Sequence, residues 1–437
     1  MKKVTKSRVK ERVDLLILNA EELLTLAPGS PEPRTGNQMR ELGIMPEGAL
    51  AVREGRIIAT GKTLELTKAF KSENVINARG KIVLPGFVDP HTHLVFAGSC
   101  EEEFQRRVEG ISCEMQSCVG VWKAIKETRK VSLEKLVDFG LERLDAMLAH
   151  GTTTVEAKSG YGLATETELK ILEASRRLNH LHSVNVISTF LGAHCVPPEY
   201  KGNPAEYVAL VVGEMIPTVA ERGLAEFCDV SCERDTFNFE QARHVLETGK
   251  KYGLKPKIHA DKLSPLGGAE IAADVGAVSA DHLLFSSIEG IRAMAEKGVV
   301  AVLLPAAAFS MINKRYASAR LMIENGLPVA LGTDCSPRCW MENQQLVVAM
   351  ACKCMGMTPA EAITAATINA AHAVNRAGEV GSLEVGKKAD ITVLNVPNHN
   401  FLGYRYGVNL VDKVVKNGRV VIDREKQDEP VFRSETE

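Results

Sequence analysis

Residues 85–379 predict a (β/α)8 barrel, and residues 1–84 together with 380–437 predict a small β-sandwich shared by both chain ends. Two observations lead there. Eight apolar, strand-like runs alternate with amphipathic helical stretches through the middle of the chain, and short β-branched runs with tight turns occupy its two ends. Eight such units in about 290 residues suit a barrel, for which about 250 residues is typical. A doubly wound sheet is the rival, but no GxGxxG or GxxxxGK[ST] follows a strand.

In chain order, "DLLILNA", "GALAVREGRIIATG" and "NVINARGKIVLPG" open the β-rich part. The barrel strands are "GFVDPH", "GTTTVEAK", "VNVISTFLGAH", "FCDVSC", "PKIHAD", "AVSADHL", "VVAVLLP" and "PVALGTD". Helical windows such as "SLEKLVDFGLERLDAMLAH" and "ATETELKILEASRRLN" lie between them, with apolar residues recurring at helical spacing. After "TPAEAITAATINAAHAV", the segment from "GSLEVGKKADITVLNV" to "LVDKVVKNGRVVID" returns to short β-runs and resembles the first 80 residues in texture.

The 437 residues carry 53 basic and 55 acidic side chains, a formal charge of −2. That balance points away from nucleic acid and anionic membrane surfaces and toward a small-molecule partner. The apolar run near the N-terminus is short and broken by charges and Asn19, so no leader is expected, and no stretch of about eighteen apolar residues suggests a membrane span. Ten cysteines in such a chain read as reduced cytoplasmic thiols. The pairs Cys228/Cys232 and Cys335/Cys339 have CxxxC spacing, not the CxxC of a zinc ribbon.

A barrel places its chemistry at the C-terminal ends of its strands, and the polar residues there are His91, His93, His194, His259, His282 and Asp334. In "DPHTH" the two imidazoles are two residues apart, so an extended backbone turns both to one side. His259 and Asp334 each end an apolar run and complete a four-ligand set. Three imidazoles and one carboxylate suit one divalent metal, Zn²⁺ first, with Fe²⁺ or Mn²⁺ as alternatives. Such an ion makes hydrolysis the economical chemistry. Asp334 is then placed to move a proton, and His282 to hold the attacked oxygen or orient the water; the plainer role for His282 is a rim histidine held by Asp281.

"PGFVDPHTH", "HAD", "SADH" and "GTD", with the split β-domain, resemble the amidohydrolase superfamily. Within it the chain is similar to the imidazolonepropionase family, which opens the imidazolone ring in histidine degradation. The strings "DPHTHLVFAGS", "KSGYGL", "TFLGAH", "KIHAD", "LGGAE", "GAVSADHL" and "VALGTD" carry that likeness across nearly the whole chain. The resemblance implies metal at His91, His93, His259 and Asp334, a catalytic His282, substrate contacts from Tyr161 and His194, a single metal and a homodimer.

Several positions depart from the family pattern, all where the substrate is expected. Cys100 replaces an arginine suited to gripping a carboxylate, and Cys113 replaces a tyrosine. Lys262 replaces a glutamate suited to a ring N–H, which reverses the donor and acceptor sense. The Asn-Pro-Gly loop after the last ligand becomes "SPRCW", bringing Ser336, Arg338 and Trp340. These changes predict a working C–N hydrolase of cyclic amides with an altered substrate, and Lys262, Arg338 and Cys100 become candidate substrate contacts. Alternatively, Lys262 points out into solvent, or Lys262 or Arg338 holds the family's carboxylate from another direction.

Other readings of the chain are a deaminase of amino-heterocycles and a non-catalytic metal-binding or regulatory protein. Lys158 raises the further option of a carbamylated lysine bridging two metals. The cysteines at 100, 113, 118, 195, 335 and 339 read as small apolar fillers.

Overall fold

The computed structural model describes residues 10–28, 31–110 and 121–425. All eight predicted barrel strands form: Phe87–Asp89, Thr152–Lys158, Asn185–Ala193, Phe227–Cys232, Lys255–Ala260, Ser279–His282, Val300–Leu303 and Val329–Leu331. They pair in parallel and in chain order, first with second through to seventh with eighth. Closure comes just beyond the strand ends, where Thr92 bridges Cys335. There His93 N–H donates to the Cys335 carbonyl at 2.8 Å and Asp334 N–H donates to the His91 carbonyl at 3.0 Å. The backbone that closes the barrel therefore also holds three of the expected ligands.

Helices cover the outside because the intervening segments bury one stripe each. The predicted windows form Leu133–Ala149 and Thr165–Leu181. Ser132 caps the first by accepting from Lys135 N–H, and the later helix Phe239–Lys251 carries a capping box between Asn238 and Gln241. Inside the barrel, Val88, Ile187, Phe227, Val300, Val302 and Ala330 belong to one buried apolar cluster.

Both chain ends supply strands to one mixed sheet of eight. Its path runs Arg419–Asp423, Val411–Lys416, Ile391–Leu394, Ile82–Pro85, Leu15–Leu24, Ile44–Arg53 and Arg56–Lys62, with Val75–Asn77 also paired to Leu15–Leu24. A two-stranded sheet, Glu11–Arg12 with Phe70–Lys71, forms separately. One face of the large sheet buries Leu15, Ile17, Leu23, Leu50, Val52, Val83, Ile391 and Val393, while Val13, Leu16, Ala49, Ala51 and Leu66 form a second cluster. Sheet and barrel meet at Gly86, whose N–H donates to Asp390 O at 2.9 Å. A Cβ there would lie 2.3 Å from the Thr153 hydroxyl, so the close approach needs glycine.

Among the described residues, no helix is long and apolar enough to cross a membrane. The described cysteines 100, 228, 232, 335, 339, 352 and 354 are free thiols. Cys195 differs from the expectation of a fully reduced set, because it is disulfide-bonded. Cys113 and Cys118 lie outside the described residues.

Ile391 is fully buried between strands from the two chain ends. Ile391→Ala is expected to lower the unfolding free energy by about 2–5 kcal/mol in chemical denaturation, leaving the metal content of the folded fraction unchanged.

Candidate metal centre

The strand ends bring His91, His93, His259, His282 and Asp334 together, with His194 beside them. Ring centroids of His91 and His259 lie 4.6 Å apart, those of His259 and His282 5.2 Å, and those of His93 and His194 5.0 Å. One nitrogen or oxygen from each of His91, His93 and Asp334 falls within 4.8 Å of the others, and the same holds for His91, His259 and His282 and for His93, His194 and His259. Asp334 Oδ1 is 3.5 Å from His91 Nε2 and 3.8 Å from His93 Nε2.

Hydrogen bonds on the far side of each ring settle which nitrogen faces inward. His91 Nδ1 meets Asp281 Oδ2 at 2.7 Å, His259 Nδ1 meets Asp229 Oδ1 at 3.2 Å, and His93 Nδ1 meets the Ser159 carbonyl at 3.3 Å. Carboxylates and carbonyls only accept, so each Nδ1 carries the proton and each Nε2 keeps its lone pair. Nε2 of His91, His259 and His282 are buried with no hydrogen-bond partner. Buried polar atoms are normally satisfied, so orphaned lone pairs converging on one point fit a cation.

Beneath the imidazoles lies a buried ionic network that the sequence reading missed. Lys158 Nζ contacts Asp229 at 2.8 Å, Glu156 at 3.0 Å and Asp281 at 3.1 Å, and Lys257 Nζ contacts Glu156 at 2.8 Å. Burial would lower the Lys158 pKa, but Asp229, Asp281 and Glu156 outweigh it and hold the proton more tightly than in water. Lys158 is thus held as an ammonium among three carboxylates. Burial pushes the Asp281 carboxyl up, but Lys158 and His91 outweigh it and keep it well below the usual range. The sign that was available is charge at alternate positions inside buried strands, as in "VEAK" and "CDV".

Asp281 therefore holds His91 and not its neighbour His282, which corrects the rim-histidine reading. His282 and Asp334 both adopt left-handed backbone, with φ of 79° and 55°. Non-glycine residues rarely rest there, and such strain gathers at working sites. Burial pushes the Asp334 carboxyl up, yet the neighbouring His91 and the Lys262 charge outweigh it and keep it below the ordinary range.

In front of the imidazoles opens a small cavity, lined among others by Tyr161, His194, Lys262, Ser336, Arg338 and Cys339. Lys262 thus faces the site, which overturns the reading of a side chain pointing into solvent. Tyr161 stands edge-on to His93 at 5.2 Å, on the loop 159–163 whose Gly160, Gly162 and Leu163 N–H groups donate to Glu168. Arg338 also reaches the cavity, but its guanidinium donates to Glu103 at 2.8 Å and is neutralised there. Cys100 is buried just before the helix Glu101–Val108, and burial, helped by Glu103, pushes its thiol up to about 11. It is not among the residues lining the cavity.

A fold with strand-end imidazoles and a carboxylate around one point is that of a metal-dependent hydrolase. The amidohydrolase family model matches residues 82–421, and the chain belongs to the amidohydrolase family. It is 52% identical over 416 residues to an imidazolonepropionase from Geobacillus kaustophilus, covering 94% of this chain and 98% of that protein. An imidazolonepropionase from Alkaliphilus metalliredigens is 48% identical, with 94% and 99% covered. Among solved structures, a zinc-bound adenosine deaminase from Xanthomonas campestris shares the fold at TM-score 0.69 and 19% identity, covering 95% of this chain and 94% of that one. Ochratoxinase from A. niger does so at TM-score 0.67 and 18% identity, covering 95% and 97%.

Asp281→Asn and Asp229→Asn keep the shape of the network but weaken its grip on the imidazole protons. Each is expected to weaken metal affinity about 10- to 100-fold in chelator competition. Lys158→Met leaves three carboxylates facing one another and is expected to destabilise the fold by about 3–5 kcal/mol in denaturant titration.

Proposed function

We propose that the chain hydrolyses a ring C–N bond of a cyclic amide, by an imidazolonepropionase-like ring opening, with one divalent metal held by His91, His93, His259 and Asp334. The convergence of orphaned Nε2 lone pairs carries this reading. Zinc suits the donor set, with iron or manganese as alternatives. When bound, such a cation supplies water activation near neutral pH and polarises a carbonyl. The likeness to imidazolonepropionases over most of the chain supports a cyclic amide as substrate.

The chain's own residues then divide the work. Asp334 takes the proton from the attacking water on a carboxylate oxygen and returns it to the leaving ring nitrogen. His282 directs its buried Nε2 at the same point and holds the attacked oxygen or the water. His194 donates Nδ1–H to Gly160 O at 3.0 Å, so its Nε2 accepts from a substrate N–H. Burial, together with the charge of Asp334, keeps the Tyr161 phenol protonated as a donor far above neutral pH. Deamination and non-catalytic binding carry no observation of their own.

The split sheet supports residues 1–84 and 380–437 as one domain and 85–379 as the barrel. Balanced charge supports a small-molecule partner without nucleic acid, and the family resemblance supports a cytoplasmic homodimer, which sedimentation of the purified protein tests.

Metal-loaded protein is expected to open at least one ring from a panel of imidazolonepropionate, hydantoins, lactams and cyclic ureas, followed by ring absorbance and mass. Turnover of none overturns the reading. Asp334→Asn is expected to cut kcat by about 10²- to 10⁴-fold on whichever ring is opened.

A further inference from the structure

Several of the donors and acceptors on the cavity wall are already engaged by the protein itself. Arg338 is held by Glu103, and Tyr161 is engaged with Ser336. Glu233, the carboxylate on the neighbouring lobe of the cavity, accepts the backbone N–H groups of Lys262 and Leu263. Asp334 turns its Oδ1 toward His91 and His93. Among the described residues, no carboxylate lies within ion-pair distance of the Lys262 ammonium, although that side chain lines both lobes of the cavity.

A half-buried ammonium with no carboxylate beside it is left to water, and a ligand that brings an oxygen acceptor into the cavity gains a charge-assisted hydrogen bond with it. Lys262 is held by its backbone, since both oxygens of Glu233 clamp the amides at 262 and 263 while leaving the side chain free to face the cavity. On the same wall His194 presents an acceptor. One donor and one acceptor together match the edge of a ring that has an N–H on one side and an oxygen on the other.

We propose that Lys262 sets the substrate class of this chain: its ammonium binds an oxygen acceptor, a ring carbonyl or a carboxylate, carried beside the amide that is cleaved. This rests on the ring-opening reading above, and it names which cyclic amides are chosen. Rings that present only an N–H toward Lys262 are disfavoured, because an ammonium has no lone pair to offer.

Three five-membered rings separate the sources of the acceptor. Hydantoin has a flanking carbonyl and no carboxylate, pyroglutamate has the carboxylate and no flanking carbonyl, and 2-pyrrolidinone has neither. Calorimetric binding to the metal-loaded full chain is expected to favour hydantoin or pyroglutamate over 2-pyrrolidinone by about tenfold or more, in keeping with a charge-assisted hydrogen bond. Preference for hydantoin identifies the ring carbonyl, and preference for pyroglutamate identifies the carboxylate. Lys262→Met is expected to abolish the preference at unchanged metal content, while Lys262→Arg retains most of it. Equal affinity of the wild type for all three rings, or a preference that survives in Lys262→Met, overturns the proposal. Turnover of the same rings is read separately: a preference without turnover removes the hydrolase reading and leaves the role of Lys262 standing.

Discussion

Two ammonium groups and three carboxylates meet inside the barrel with their side chains closed to solvent, directly beneath the imidazoles. Their charges sum to one negative, so the cluster stabilises a cation placed above it. Each charge would be expensive alone, and the arrangement persists because every member has at least one partner of opposite sign. Asp281 and Asp229 belong both to this cluster and to the rings of His91 and His259. The ionic network therefore decides the tautomers, the tautomers decide which lone pairs face the cavity, and those lone pairs define the centre.

Backbone closure reinforces the same centre from the other side. The barrel is joined through Thr92 and Cys335, with hydrogen bonds at His91, His93 and Asp334. Asp89 adds a side-chain link, accepting from Thr333 Oγ1 at 2.5 Å and from Thr333 N–H at 3.1 Å. First and last strands are thus fastened by the residues that frame the site, and closure and function share one set of contacts.

The strands and the cluster were legible because both follow from local rules. Buried parallel strands are apolar runs, and functional groups sit where those runs end. Pairing across the barrel was not legible. Asp281 is adjacent to His282 in the chain, yet it turns to His91, 190 positions away, while the left-handed backbone at His282 brings that ring to the same centre. The contact of Arg338 with Glu103 spans 235 positions and converts an apparent substrate cation into an internal pair. The burial of Lys158 among three acids was equally hidden, since each acid comes from a different strand.

The orientation of the imidazoles has one more consequence. The protons of His91 and His259 are held from inside the barrel, by the strand residues Asp281 and Asp229, whereas much of the cavity wall comes from segments beyond the strand ends: Tyr161, Lys262, Ser336 and Arg338. The orientation of these two rings and the lining of the cavity thus rest on separate parts of the chain. Rim residues are therefore replaceable one at a time without touching the carboxylates that orient these two rings.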